Sequence, residues 1–137
     1  MRLGGGIDAA SKILADLPSN LPVPLVLVQH QRVSTQNRLA ALFASRTKLQ
    51  VVAPNHGEPL EPGHLYVAPP GYHSLINHDG TLTLGMHGPV HYCRPAVDEL
   101  FYSAGQIYGA ATLAVILTGA NEDGAEGMRY IPRRGGI

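Results

Sequence analysis

Apolar residues recur at helical spacing in three stretches of the chain, with polar residues between them. The shared faces consist of Ala10, Ile13, Leu14 and Leu17; of Leu39, Leu42 and Phe43; and of Val97, Leu100, Phe101, Ala104 and Ile107. Spacings of three and four residues are typical of helices that bury one side. The pattern therefore predicts a helix that follows the glycines Gly4–Gly6 and ends at Pro18, a second one capped by Ser34, and a third one after Pro95. A fourth helix is predicted to begin at Gly124.

Short, continuous apolar runs rich in β-branched residues lie between these helices. They cover residues 24–30, 50–53, 65–68 and 111–117. Such runs are typical of strands that are covered on both faces, as in parallel sheets. Two further runs, residues 74–77 and 81–84, are joined through Asp79-Gly80, a pair that accepts the backbone angles of a tight turn. These two runs are therefore predicted to form an antiparallel hairpin.

The order of these elements predicts an α/β fold. We expect a doubly wound, mostly parallel sheet with helices on both faces, and the local antiparallel hairpin should make this sheet mixed. Residues 1–137 are expected to form one domain, because their number suits a single core and the sequence contains neither repeats nor low-complexity tracts.

The composition excludes several classes of function. The 10 Lys and Arg residues balance the 10 Asp and Glu residues, so no excess charge points to nucleic acid or an anionic membrane surface. The single cysteine, Cys93, excludes an intrachain disulfide and a thiol-only metal site, and it suits a reducing compartment. Neither an export signal nor a membrane-spanning stretch is recognisable in the sequence. We therefore expect a cytoplasmic protein that does not insert into membranes.

Three features are expected to meet where the strands of the parallel sheet end, which is where ligands bind in such folds. They are the glycines Gly4–Gly6, His30 and residues 118–124. A nucleophile, a base and an orienting carboxylate at this edge would suit the hydrolysis of an ester. Taken singly, each feature also has a structural interpretation: a tight turn, a histidine bound to a backbone carbonyl, and Asp123 as a helix cap.

Other polar residues give weaker signals. His87 and His91 are separated by Gly88 and Pro89, so they cannot form a helical metal-binding pair, and His64 and His73 fall in loop-like sequence. No metal site is predicted. Arg94 precedes a predicted helix that begins with two acidic residues, and it is interpreted either as their ion-pair partner or as a residue of the site.

The sequence resembles the CheB-type chemoreceptor methylesterases in four segments that occur in the family's order. Residues 62–69 with His73 are similar to its PGxxYIAPxxxH segment, and residues 94–101 to its RPSVDxLF segment. Residues 115–128 resemble its VxLTGMGxDGAxGM segment, and residues 28–30 match the end of the strand that holds its catalytic histidine. The matches extend over nearly the whole chain.

The resemblance implies an α/β domain that hydrolyses glutamyl methyl esters on the cytoplasmic helices of methylated chemoreceptors, with a Ser/His/Asp triad and without cofactor or metal. By position His30 would be the base and Asp123 would hold its imidazole. Substrate-binding positions implied in the same way are Arg94, Thr118, Gly119 and Ala120. The receiver domain that often regulates the family has no counterpart in these residues, so phosphorelay control would need a receiver domain in trans.

The chain departs from the family pattern at the nucleophile. Aligning the glycines of the family's first motif with Gly5 and Gly6 places Leu3 on the serine. Ser11 lies two turns into the predicted helix and points away from the site. After the last predicted strand, Ala120, Asn121 and Glu122 also differ from the family, and Glu122 would oppose a developing oxyanion unless it faces solvent.

Two functions of different classes therefore remain open. The first is the methylesterase that the resemblance implies, and the second is a catalytically inactive binding or adaptor module that retains the fold. A third function, nucleotide binding, would need a glycine spacing and an acidic ribose contact that are not found in the sequence. Compared with the family, the sequence also looks truncated at both ends: a strand is expected before the serine motif, and further residues are expected after Gly135 and Gly136.

Overall fold

The computed structural model describes residues 5–30, 38–117 and 122–137. Its helices are α1 (Gly5–Asp16), α2 (Arg38–Ala44), α3 (Val97–Tyr108) and α4 (Ala125–Arg133), and a 3-10 turn covers Gly109–Ala111. Its strands are β1 (Leu25–Leu27), β2 (Gln50–Val52), β3 (Glu58–Pro59), β4 (His64–Val67), β5 (His73–Ile76) and β6 (Thr81–Gly85). The four predicted helices are confirmed, although Ser34 lies outside the described residues. In the described part of the chain, no helix is both long enough and apolar enough to cross a membrane.

The strands form two separate sheets. In the parallel sheet β4 lies between β1 and β2, with Tyr66 opposite both Val26 and Val52. In the antiparallel sheet β6 lies between β3 and β5. The predicted hairpin is confirmed as β5 and β6, but the expectation of one mixed sheet is wrong. The two edges of β6 are paired with β3 and β5, so the hairpin extends through β3 rather than through a strand of the parallel sheet.

Helices cover both faces of the parallel sheet, as predicted. Alternate residues of a strand point to opposite faces. Leu25 and Leu27 therefore pack into one core with residues of α1 and α2, and Val26 packs into another with residues of α3 and α4. The chain has the predicted α/β architecture, and its two cores lie on opposite sides of β1.

The predicted strand at residues 111–117 is wrong. The 3-10 turn includes Ala111, and residues 112–117 form no strand in the described structure. Of this run Ala114 is buried, whereas Leu113 is 73% exposed and Val115 56% exposed. The backbone N–H of Ala114 donates to Ile137 O at 2.7 Å, and that of Ile137 donates to Thr112 O at 3.0 Å. The run therefore makes two backbone hydrogen bonds with Ile137. Among the described residues it is not paired with any strand of the parallel sheet.

An apolar groove of about 400 Å³ separates this run from β1. The groove is lined by Val23, Pro24 and Val26, by residues 112–114 and by residues of α3. The groove explains why β1 is shorter than predicted and only half-buried: it is paired on the β4 side alone in the described structure.

Candidate active site

His30 and Asp123 meet beyond the carboxyl end of the parallel sheet. His30 follows β1 by three residues, and Asp123 lies in the turn that leads into α4. The two residues are 93 positions apart in the chain, yet His30 Nε2 is 2.6 Å from Asp123 Oδ2. The structure thus brings together the two side chains that the sequence places at this edge.

Asp123 is anchored by the start of α3. Its Oδ2 accepts a hydrogen bond from the backbone N–H of Val97 at 2.6 Å, and its Oδ1 accepts one from that of Asp98 at 2.9 Å. A helix leaves its first N–H groups without intrahelical partners, so a carboxylate at this point satisfies them and is favoured by the helix dipole. Asp123 therefore caps a helix, as the structural interpretation has it, but it caps α3 rather than α4.

The pKa of Asp123 is lowered below its ordinary value. Burial by itself would raise this pKa, since the Asp123 side chain has no exposed surface. The hydrogen bonds from His30, Asp98 and Val97 favour the charged form and outweigh the burial. Asp123 is therefore a carboxylate at neutral pH.

The ring of His30 is set up to accept a proton. Its Nε2 bonds to the carboxylate, so in the neutral tautomer Nε2 holds the hydrogen and Nδ1 keeps the lone pair. The side chain is 35% exposed, which gives a molecule from solvent access to the ring. A carboxylate also orients the imidazole base of a catalytic triad, although there the carboxylate bonds to Nδ1 and Nε2 takes the proton.

Cys93 joins this pair, which the sequence did not indicate. Single ligand atoms of His30, Cys93 and Asp123 all lie within 4.8 Å of one another. Cys93 comes directly before Arg94, and its thiol donates to the carbonyl of His91 at 3.3 Å. Among the described residues, these three side chains form a group that could hold a metal ion.

Arg94 lies beside the site with its guanidinium bound to backbone carbonyls. Its Nη1 donates to Met86 O at 3.3 Å and to His87 O at 3.4 Å, and its Nε is buried without a partner in the described structure. The acidic residues of α3 have other partners: His87 Nε2 is 2.7 Å from Glu99, and His91 Nε2 is 3.4 Å from Asp98. The interpretation of Arg94 as their ion-pair partner is therefore wrong for the described residues.

His73 contacts residues on both sides of Arg94 in the sequence. It is the first residue of β5, not part of a loop as expected, and it is fully buried. Its Nε2 is 3.0 Å from Gly88 O, its Nδ1 accepts the N–H of Ala96 at 3.2 Å, and its ring stacks on that of His87. His73 thus ties the hairpin to the start of α3.

Two other residues face away from the His30–Asp123 pair. The Glu122 side chain is 89% exposed, and its carboxylate lies 3.7 Å from His91 Nδ1. Because Glu122 faces solvent, it would not oppose a developing oxyanion. The hydroxyl of Ser11 accepts a hydrogen bond from Arg46 at 3.0 Å. Leu3, Thr118, Gly119 and Ala120 lie outside the described residues, so their predicted roles stay predictions.

Comparison with known proteins identifies the fold and the family. The family model described as CheB methylesterase matches residues 4–137. A solved structure, the CheB methylesterase catalytic domain of Thermotoga maritima, superposes with a TM-score of 0.91 at 34% identity, covering 97% of this chain and 72% of that one.

Two similar proteins are named as protein-glutamate methylesterases. A putative protein-glutamate methylesterase/protein-glutamine glutaminase from Leptospira interrogans is 36% identical over 133 residues, which are 97% of this chain and 69% of the relative. Protein-glutamate methylesterase/protein-glutamine glutaminase 4 from Myxococcus xanthus is 39% identical over 132 residues, which are 96% of this chain but only 37% of the relative. Together with the fold and the His30–Asp123 pair, these matches show that the chain belongs to the CheB methylesterase family.

Proposed function

We propose that this chain binds glutamyl methyl esters on the cytoplasmic helices of methylated chemoreceptors and does not hydrolyse them at enzymatic rates. The observation that supports the binding site is the 2.6 Å contact between His30 and Asp123, with Asp123 anchored on α3. The family and the names of its relatives supply the substrate class. The proposed location is the cytoplasm, which the family assignment and a single cysteine suited to a reducing compartment support.

The acid–base half of the reaction is available in this chain. In ester hydrolysis by a triad, a hydroxyl attacks the carbonyl carbon, the imidazole takes the hydroxyl proton and then gives it to the departing alcohol, here methanol. His30 Nδ1 can accept and return that proton, while Asp123 stabilises the imidazolium that forms. The predicted contacts from Arg94, Thr118, Gly119 and Ala120 would hold the ester in place.

The nucleophile is the part that the sequence lacks. Leu3 aligns with the family's serine, and an isobutyl side chain has no lone pair with which to attack an ester. Loss of a triad serine leaves a residual acceleration of roughly 10³ to 10⁴ over water, which comes from binding and the oxyanion hole. The proposed role is therefore that of a receptor-binding module derived from a methylesterase.

Measuring methanol release from methylated receptor tests this proposal. The unmodified chain and the matched control Leu3→Ala should both stay at background. Leu3→Ser should raise methanol release, because it restores a hydroxyl at the aligned position while His30 and Asp123 are unchanged. Adding His30→Gln to Leu3→Ser should remove the gain.

Binding is measured separately, as cosedimentation of the chain with receptor-containing membranes in buffer with a metal chelator. We expect the unmodified chain to sediment with methylated receptor. Enzymatic turnover by the unmodified chain would show that the inactive role is wrong. If the chain does not bind receptor and Leu3→Ser gains no activity, the methylesterase-type site itself is wrong.

A further inference from the structure

Three side chains of different chemistry converge at the end of the parallel sheet. His30 lies three residues after β1, Cys93 in the loop before α3, and Asp123 in the turn before α4. Their ligand atoms lie within 4.8 Å of one another. The ester-hydrolysis mechanism derived above does not use Cys93.

We propose that His30, Cys93 and Asp123 bind a zinc ion. Zinc takes imidazole nitrogen, thiolate sulfur and carboxylate oxygen as ligands in tetrahedral sites. The mixed sulfur and nitrogen donors favour Zn²⁺ over Mg²⁺ and Ca²⁺, which prefer sets of oxygen ligands. The thiolate and the carboxylate together supply two negative charges, which match the charge of the ion.

The geometry needs only small adjustments. Bond lengths of about 2.0 to 2.3 Å separate the ligand atoms of a tetrahedral zinc ion by roughly 3.3 to 3.6 Å. The Cys93 sulfur lies at most 4.8 Å from the ligand atoms of His30 and Asp123, so it has to move closer to them to reach this separation. His30 and Asp123, now 2.6 Å apart, have to separate by less than an ångström as the ion replaces the hydrogen between them.

Asp123 is held in a way that suits a ligand. Its carboxylate is buried and fixed by the N–H groups of Val97 and Asp98, and hydrogen bonds of this kind orient the carboxylates of metal sites. His30 is 35% exposed on the other side, so a water molecule can reach the ion as a fourth ligand. Three protein ligands and one exchangeable position are the pattern of an open zinc site.

Because Cys93 is the only cysteine of the 137 residues, its thiol gives an unambiguous signal. The full chain is titrated with Zn²⁺ against a chromophoric chelator and, in parallel, with Co²⁺ under reducing conditions. We expect one ion per chain, a thiolate-to-cobalt charge-transfer band, and slower alkylation of Cys93 by iodoacetamide when zinc is present.

Cys93→Ser should weaken zinc binding by at least about tenfold and abolish the charge-transfer band, and His30→Gln should weaken binding to a similar extent. The matched control is His78→Gln, which changes an exposed histidine in the turn of the hairpin and should bind zinc like the unmodified chain. Circular dichroism checks that each variant is folded.

A cobalt complex without the charge-transfer band, or alkylation of Cys93 unaffected by zinc, would overturn the proposal even if a variant failed to fold. Equal zinc affinity of the unmodified chain and Cys93→Ser would do the same. The receptor-binding experiment contains a chelator, so its outcome and the zinc outcome are independent.

Discussion

At the scale of single residues, Asp123 connects the candidate site to the stability of the fold. Its carboxylate accepts hydrogen bonds from the ring of His30 and from the first two N–H groups of α3. Hydrogen bonds to a charged group contribute about 1.5 to 3 kcal/mol each, and leaving a buried donor unpaired has a cost of its own. A change at this one side chain should therefore alter both the orientation of His30 and the free energy of unfolding.

Replacing Asp123 with Asn should lower the free energy of unfolding at neutral pH by about 2 kcal/mol, because the charge that favours these donors is removed. The difference should also depend on pH. The pKa of Asp123 is lowered in the folded chain, so the stabilisation by its charge is complete above the unfolded value of about 3.9 and is lost as the pH falls through the lower folded value. Urea denaturation of both proteins at a series of pH values measures this.

Replacing Asp79 with Asn provides the control. Asp79 also has a lowered pKa, but it is exposed in the hairpin turn and its bonds go to Thr81. This variant should stay close to the unmodified chain in stability. A difference between Asp123→Asn and the unmodified chain that stayed constant down to acidic pH would contradict the assigned role of the Asp123 charge.

At the scale of elements, the contact between α3 and α4 places Asp123 against α3. Asp98 of α3 accepts a hydrogen bond from the N–H of Gly127 in α4 at 2.8 Å. A Cβ atom at Gly127 would lie 2.6 Å from Phe101 Cβ and 3.0 Å from Asp98 Oδ1. The close approach of the two helices therefore depends on glycine at this position.

Gly127→Ala should destabilise the chain by about 1 kcal/mol or more. Overpacking a tight contact costs about 1 to 3 kcal/mol, which exceeds the gain of up to about 1 kcal/mol from the higher helix propensity of alanine. Thermal unfolding measures the change. In the control Gly88→Ala, a Cβ atom would meet no atom within 4 Å, and the melting temperature should hardly move. Equal melting temperatures for both variants would contradict the close packing of α3 and α4.

How well the sequence predicts an element depends on how local its stabilising contacts are. The faces of α1 and α3 are visible because their spacing is a property of consecutive residues. The apolar run at residues 111–117 has the composition of a buried strand, but composition does not reveal whether strands pair on both of its sides. The two-residue strand β3 was missed because a ladder this short leaves no pattern in the sequence.

The candidate site shows the same division. The position of His30 after an apolar strand, together with the family motif that contains Asp123, was enough to predict that they meet. Cys93 was not predictable, because the loop before it includes His91 and Tyr92 with positive φ angles of 50° and 62°. Such backbone angles are uncommon for residues other than glycine, and they direct a chain in ways that periodicity does not show.

At the scale of the whole molecule, burial differs sharply between the second core and the rim of the groove. Leu100 of α3 is only 4% exposed and belongs to the second core, whereas Leu113, beside the groove, is 73% exposed. The two leucines are chemically identical and differ in what surrounds them. They therefore give a direct measure of where the core of the described structure ends.

Leu100→Ala should lower the free energy of unfolding by about 2 to 5 kcal/mol, because it removes buried methyl groups and leaves a cavity. Leu113→Ala should change it by less than about 0.5 kcal/mol, as is usual for exposed positions. Chemical denaturation of the two variants under the same conditions makes the comparison. A large loss in Leu113→Ala would show that this side chain is buried in solution, with another part of a polypeptide filling the groove.

The capping of α3 by Asp123 also affects how such proteins diverge. Mutations that remove a nucleophile relax selection on the rest of the catalytic machinery, and residues that serve only catalysis can then drift. Asp123 would not be free to drift in this way, because the start of α3 depends on its carboxylate. The presence of this aspartate in a family member is therefore a record of selection for folding as much as for catalysis, and it should outlast the loss of activity in a lineage.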